Sequence, residues 1–244
     1  MRTLAFFILG ALTPLCASAA SCELSTRGSA PQRVELYTSE GCSSCPPADR
    51  WMSSLEAAND RILLAFHVDY WDQLGWPDRF ADARFSQRQS QLAARAGSRA
   101  VYTPEVAVEG GEYRGWRNAL PAPAASIGPT LSVQISVDQQ INVQLAAASG
   151  YPKGARAFLA VTESQLYTEV KAGENRGSRL RHDHVVRAFA QPVGLAQRLS
   201  LQLPADLNRD HARLNLWVED QQGRTVQGLS EPLARCLATA HAPR

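Results

Sequence analysis

Glu40-Gly41-Cys42-Ser43-Ser44-Cys45-Pro46-Pro47 lies between a strand-like run, Val34 to Tyr37, and a helix-like stretch, and it constrains the fold more than any other segment. Two cysteines at this spacing meet in one turn. The prolines suit the first helical positions, where a missing N–H costs little. The segment therefore predicts a strand–turn–helix unit with Cys42 at the mouth of the helix and Cys45 inside its first turn. Unpaired N–H groups and the positive end of the helix dipole stabilise a thiolate there. Thiolates so placed have pKa values of roughly 3.5 to 7.5, against about 8.5 for a free cysteine. Cys42 is then the attacking sulfur, and Cys45 resolves the mixed disulfide. Two other readings stand beside this one. The pair forms half of a zinc site, although no second ligand pair occurs at finger spacing, or it forms an inert local disulfide.

The remaining cysteines are sorted by compartment. Arg2 precedes an apolar run from Leu4 to Leu15, followed by Ala17, Ser18, Ala19 and Ala20. This pattern predicts a signal peptide over residues 1–20 and a periplasmic or secreted product. The plainer alternative is a buried N-terminal helix, which Pro14 would interrupt. The run is too short to span a bilayer, and no later stretch approaches the length required, so no transmembrane span is expected. Cleavage removes Cys16 and leaves Cys22, Cys42, Cys45 and Cys236, an even set suited to an oxidising compartment. With Cys42 and Cys45 satisfying each other, Cys22 and Cys236 are expected to form a structural disulfide between the chain ends. A lipoprotein site at Ala20-Ser21-Cys22 is the competing assignment for Cys22. It lacks the leucine expected three positions upstream.

Residues 33–116 alternate strand-like and helix-like segments. Pro46 to Ala58 carries Trp51, Leu55 and Ala58 at helical spacing, and Ile62 to Phe66 is a continuous apolar run of strand length. Asp78 is positioned to cap a helix reaching about Ala96. Val106 to Val108 and Tyr113 to Trp116 flank Gly110-Gly111 as a hairpin. The texture changes after Pro121, Pro123, Gly128 and Pro129. Leu131 to Val137 and Ile141 to Leu145 alternate apolar and polar residues. Further short strands are expected at 158–161, 166–170, 199–203, 214–218 and 225–229. The expected fold class is an α/β domain over 31–120 followed by an all-β antiparallel sandwich over 130–236.

Val34–Pro47, His67–Trp76, the Thr103-Pro104 strand and Gly173–Arg187 together resemble a family of exported thioredoxin-like proteins catalogued only as a domain of unknown function. The resemblance implies a thioredoxin-like first domain and thiol–disulfide exchange at Cys42 and Cys45. It implies that Pro104 is a cis-proline lying against the cysteine pair, with Thr103 touching the substrate chain. Partners would be protein thiols or disulfides and a separate redox partner, and neither organic cofactor nor metal is required. The rival is a non-enzymatic binding or metal-handling module with a structural or vestigial cysteine pair.

Weaker candidates surround this core. Trp71 and Trp76 follow the buried strand and are expected to line a substrate groove. His67 and Asp69 are candidates for carrying a proton to or from Cys45. The competing reading makes this segment a structural loop, with aromatics packed in the core and carboxylates as caps. His182-Asp183-His184 places two histidines on one strand face without an evident third ligand, so a solvated or hydrogen-bonded polar segment is expected there. Glu174-Asn175-Arg176-Gly177 is expected to touch the cysteine-pair face from the second half of the chain. The 25 basic and 23 acidic residues are scattered along the sequence without a block of like charge, which argues against nucleic-acid binding.

Overall fold

The structure, a computed structural model, describes residues 20–58, 60–123, 127–146 and 149–238. The expected signal peptide lies outside the described residues apart from Ala20. Among the described residues there are fifteen strands, numbered along the chain, and three α-helices. Nine strands form one mixed sheet. Its spatial order is β15 (Thr225–Pro232), β14 (Ala212–Glu219), β8 (Arg156–Glu163), β11 (Val185–Phe189), β3 (Arg61–His67), β2 (Gln32–Thr38), β4 (Glu105–Val108) and β5 (Gly111–Glu112), with β12 (Val193–Gly194) added beside β8. A four-stranded sheet runs β1 (Ala20–Ser29), β6 (Ile127–Val137), β7 (Gln140–Leu145) and β13 (Leu199–Gln202). A separate hairpin pairs β9 (Leu166–Glu169) with β10 (Arg179–His182). The helices are α1 (Pro46–Ser54), α2 (Ala83–Arg95) and α3 (Ala234–Ala238).

The expected α/β thioredoxin-like domain followed by a sandwich is not the fold the chain forms. The molecule is mostly β, and its large sheet interleaves strands from both halves. β11 is the seam: Val185 pairs in parallel with Ala65 of β3, and the opposite edge of β11 pairs antiparallel with β8. The apolar patterns explain why. Alternating strands such as β6 bury one face, whereas Phe158 to Val161 in β8 and Leu214 to Val218 in β14 are buried on both. Leu159, Val161, Leu214 and Leu216 face the core beneath the four-stranded sheet, while Phe158 and Trp217 join Phe66, Phe85 and Phe189 beneath α2. A strand covered on both sides belongs at the centre of a layered structure, and here it extends the sheet that β2 and β3 begin.

Local boundaries also differ. α1 ends at Ser54 and not at Ala58, because Leu55 turns extended (ψ 131°), and its buried face is Ala48, Asp49 and Met52. Asp78 does not cap α2. That role falls to Asp82, which accepts from the Arg84 N–H at 2.8 Å. The strand expected at 113–116 is replaced by the two-residue β5, and β1 is a strand that the sequence pattern did not suggest.

Two buried arginines tie α2 to the sheet. Arg33 and Arg88 share Glu35 and Glu219 at 2.6–2.9 Å, with Tyr37 and Trp217 donating to the same carboxylates. Burial alone raises the Glu35 carboxyl, but Arg88 and Arg33 overcome it and hold the pKa at about 2. The ends of the described chain are joined by a Cys22–Cys236 disulfide with a Cα separation of 5.1 Å, linking β1 to α3.

Candidate functional site

Strand β2 delivers the chain to the turn Ser39–Cys45, and α1 leaves it. Cys42 and Cys45 form a disulfide with a Cα separation of 5.4 Å. Cys45 is the N-cap of α1, and Pro46 and Pro47 follow it in the first turn. Both cysteines have no exposed surface, whereas Ser43 and Ser44 between them are exposed. The turn is internally bonded: Cys42 N–H donates to Ser39 O, Cys45 N–H to Cys42 O, and Ala48 and Asp49 N–H to Cys45 O. Gly41 packs closely on Trp71: a Cβ there would sit 3.2 Å from the Trp71 Cβ.

Three segments close around this turn. The Thr103–Pro104 peptide bond is cis, and the Ser44 hydroxyl reaches the Thr103 carbonyl at 3.4 Å. Trp71 donates from its indole to Thr103 Oγ1 at 2.8 Å, so Trp71, Thr103 and the cysteine turn are brought together. A groove of about 350 Å³ opens beside them, lined by Tyr102, Thr103, Pro104, Tyr113, Arg114 and Trp116. The β9–β10 loop comes from the far half of the sequence. Asn175, buried, donates from Nδ2 to the carbonyl oxygens of Glu40 and Cys42, both at 2.9 Å. Glu174 Oε2 accepts the Ser43 N–H at 3.0 Å.

Beneath the turn lies a buried polar set. Glu40 accepts from the Trp76 indole at 2.8 Å and lies 3.2 Å from His182 Nε2. Asp78 accepts the Glu40 N–H at 2.8 Å and bonds His67 Nδ1 at 2.6 Å. Burial disfavours the His67 imidazolium, but the Asp78 charge and hydrogen bond, aided by Asp49 and Glu40, raise its pKa above the ordinary value. Asp49, one turn from Cys45, accepts from Thr38 Oγ1 at 2.8 Å. Burial raises its carboxyl pKa despite the opposing pull of His182 and His67.

The sequence-predicted residues thus fall into three places. Thr103, Pro104 and Trp71 border the disulfide turn. Trp76 and His67 belong to the buried set, joined to the turn through Glu40 and Asp78. Asp69 faces α2, where its carboxylate accepts from Ser86 Oγ. His182 also joins the buried set, while His184 points elsewhere, with Nε2 3.2 Å from the Leu55 carbonyl. Among the described residues, no group of three or more His, Cys, Asp or Glu side chains has an arrangement that could hold a metal ion. The sequence does not group Glu40, Asp49 and Asp78: Glu40 and Asp49 flank the cysteines, but Asp78 is distant in the chain and only packing brings it to the turn.

A model of the family described as "Protein of unknown function (DUF1223)" matches residues 33–219. No curated protein matches the chain. Among solved structures, the crystal structure of a protein from Agrobacterium tumefaciens is similar at 23% identity with a TM-score of 0.54, covering 84% of this chain and 96% of that one. At this identity the likeness concerns the fold alone.

Proposed function

The chain belongs to the family described as a protein of unknown function, DUF1223, and from that premise we propose that it is a thiol–disulfide oxidoreductase acting through Cys42 and Cys45. The observation that carries this reading is a disulfide within a Cys-x-x-Cys turn that opens α1, with the two intervening serines exposed. A client thiolate attacks Cys42 Sγ, the Cys42–Cys45 bond breaks, and Cys45 leaves as a thiolate that takes up a proton. A second client thiol then attacks the client sulfur of the mixed disulfide and releases Cys42. Two electrons and two protons pass from the client dithiol to the pair; the reverse sequence reduces a client disulfide.

Thr103 and Pro104, with Trp71 beside them, form the wall against which the client chain docks, and Trp76 is tied to the cysteine turn through Glu40. Protonation of Cys45 is assigned to the buried set, with Asp49 nearest along the helix and His67 behind it. The orientation of Asp69 toward Ser86 makes it a supporting residue in this scheme. Since neither sulfur is exposed, a client reaches Cys42 only after the covering segments shift.

Two disulfides and the apolar N-terminal run with its small-residue site support an exported, oxidising location, periplasmic or secreted. Among the described residues, no helix is long and apolar enough to cross a membrane. The partners in this scheme are protein thiols or disulfides and a separate electron partner.

Trapping tests the reading. Cys45→Ser should accumulate a mixed disulfide through Cys42 when offered a disulfide peptide, and Cys42→Ser should not. If the native reduced pair exchanges no faster than free dithiothreitol and Cys42 titrates as an ordinary thiol, the reading is lost.

A further inference from the structure

We propose that Glu174, carried onto the cysteine turn by the β9–β10 loop, is a positioning residue that disfavours the Cys42 thiolate and so makes the pair a stronger reductant. This deepens the redox reading and rests on it. A Cys42 thiolate draws its stabilisation from nearby amide donors and from the start of α1. Here free amide donors are scarce, and the contact the Cys42 sulfur makes is with the Ser44 hydroxyl at 3.4 Å. Pro46 and Pro47 occupy the first helical positions and have no N–H. The Cys45 N–H is bonded to Cys42 O, and the Ala48 and Asp49 N–H groups are bonded to Cys45 O. The amide immediately after Cys42, that of Ser43, donates to Glu174 Oε2 at 3.0 Å. Glu174 therefore occupies the amide next to Cys42 and sets a negative charge on the same turn.

The loop that carries the carboxylate is hydrogen-bonded at its base and at its tip. Val170 N–H donates to Ser178 O, and Gly177 N–H donates to Val170 O, which closes the loop at its base. Asn175 pins its tip to the carbonyls of Glu40 and Cys42. Gly173 adopts φ +71° with its Cα tight against Trp76, where a Cβ would lie 3.0 Å from the Trp76 Cβ. The hydrogen bonds with Ser43 keep the Glu174 carboxyl below its ordinary pKa, so it is charged at neutral pH. Its exposure to solvent makes its influence sensitive to salt.

The direction follows from the electron balance. Reduction of the pair consumes two electrons from a client dithiol and yields a Cys42 thiol in equilibrium with its thiolate. A neighbouring anion raises the free energy of the thiolate, and with it that of the reduced form. The disulfide is then favoured, and the dithiol gives up its electrons more readily.

The experiment uses the full chain, reduced at Cys42–Cys45, with the pH dependence of Cys42 alkylation followed by peptide mass spectrometry. Redox equilibrium with glutathione is measured in parallel. Glu174→Gln keeps an acceptor for Ser43 and removes the charge. It should lower the Cys42 pKa by about one unit and shift the equilibrium toward the dithiol by up to tenfold, equivalent to about 30 mV. The difference should shrink in high salt. Glu174→Ala, which also frees the Ser43 amide, should shift both readouts at least as far. Unchanged Cys42 pKa and equilibrium in both variants overturn the proposal. So does a shift in Asn175→Ala that Glu174→Gln fails to reproduce, because that pattern assigns the effect to loop anchoring. A pKa shift in Glu174→Gln without accelerated exchange in any variant supports the role of Glu174 while defeating the oxidoreductase reading.

Discussion

Asn175 donates its side-chain amide to the carbonyl oxygen of Cys42 at 2.9 Å, joining positions 133 residues apart in the sequence. The same Nδ2 serves Glu40 O, so one buried side chain satisfies two carbonyls at the entrance to the cysteine turn. Asn175→Ala leaves both without that donor. Unsatisfied buried groups cost about 1–3 kcal/mol, and thermal unfolding should show a loss of that order. Cys42 in the reduced protein should also alkylate faster, since the covering loop loses its anchor. Unchanged stability together with unchanged alkylation would remove Asn175 from the description of the site.

The His67–Asp78 pair predicts a pH window. His67 has a native pKa raised above 6.5, so its contribution is fully present below that value and is lost as pH rises through the native pKa. Asp78 is also exposed to burial, which raises its pKa, but His67 reverses that and lowers it, so its contribution fades only in acid. Asp49, Glu40 and His182 face the same pair from α1, the cysteine turn and β10. The stability gap between the native chain and His67→Gln should be widest at mildly acidic pH and should narrow above neutrality. Breaking a buried pair costs about 3–5 kcal/mol. Denaturant midpoints measured across pH check the shape, and a gap that grows with alkalinity contradicts it.

Arg88 offers a second electrostatic test with the opposite sign. The native Glu35 pKa of about 2 lies below the ordinary 4.5, so its contribution is present above 4.5 and is lost as pH falls. Arg88→Met leaves Glu35 and Glu219 with Arg33 as their cationic partner, and burial then pushes Glu35 upward. The variant should lose about 3–5 kcal/mol near neutral pH. The deficit should narrow on acidification below pH 4.5, as Glu35 protonates in the variant. A deficit independent of pH would show that Arg88 acts through packing on Phe158 and Trp217, over which its guanidinium lies.

The Cys22–Cys236 disulfide closes a separation of 214 residues. In the chain-entropy account, a crosslink over so long a loop restricts the unfolded chain strongly, and removing such bonds typically costs about 2–5 kcal/mol. The Cys22→Ala, Cys236→Ala double variant should lose stability on that scale in urea titrations. Its Cys42–Cys45 exchange rate should match that of the native chain. Equal stability of the two proteins would mean that packing between α3 and β1 already holds the chain ends.

Local chemistry was legible in the sequence to different depths. The cysteine turn declares itself because Cys-x-x-Cys followed by two prolines between a strand and a helix is a short-range pattern. Trp71 is singled out by its place after the buried strand and Thr103 by the family resemblance, and both border that turn. The arrangement of the sheets was not legible. Leu159 and Phe158 face different cores, and nothing in the local pattern says that β8 will continue a sheet begun more than a hundred residues earlier. The roles of Glu40, Asp49 and Asp78 were hidden for a related reason. Each looks like a turn or cap residue until long-range packing buries it, and Asp82, not Asp78, takes the cap.

The seam strand β11 has a consequence for modularity. A chain ending before Val185 retains Cys42 and Cys45, Trp71, the Thr103–Pro104 segment and the β9–β10 hairpin, yet it leaves β3 with a raw parallel edge where β11 would pair. Such an edge recruits other chains. The cysteine-bearing half is therefore not a transplantable cassette: whatever chemistry it performs has to evolve, fold and be inherited together with nearly the entire sheet.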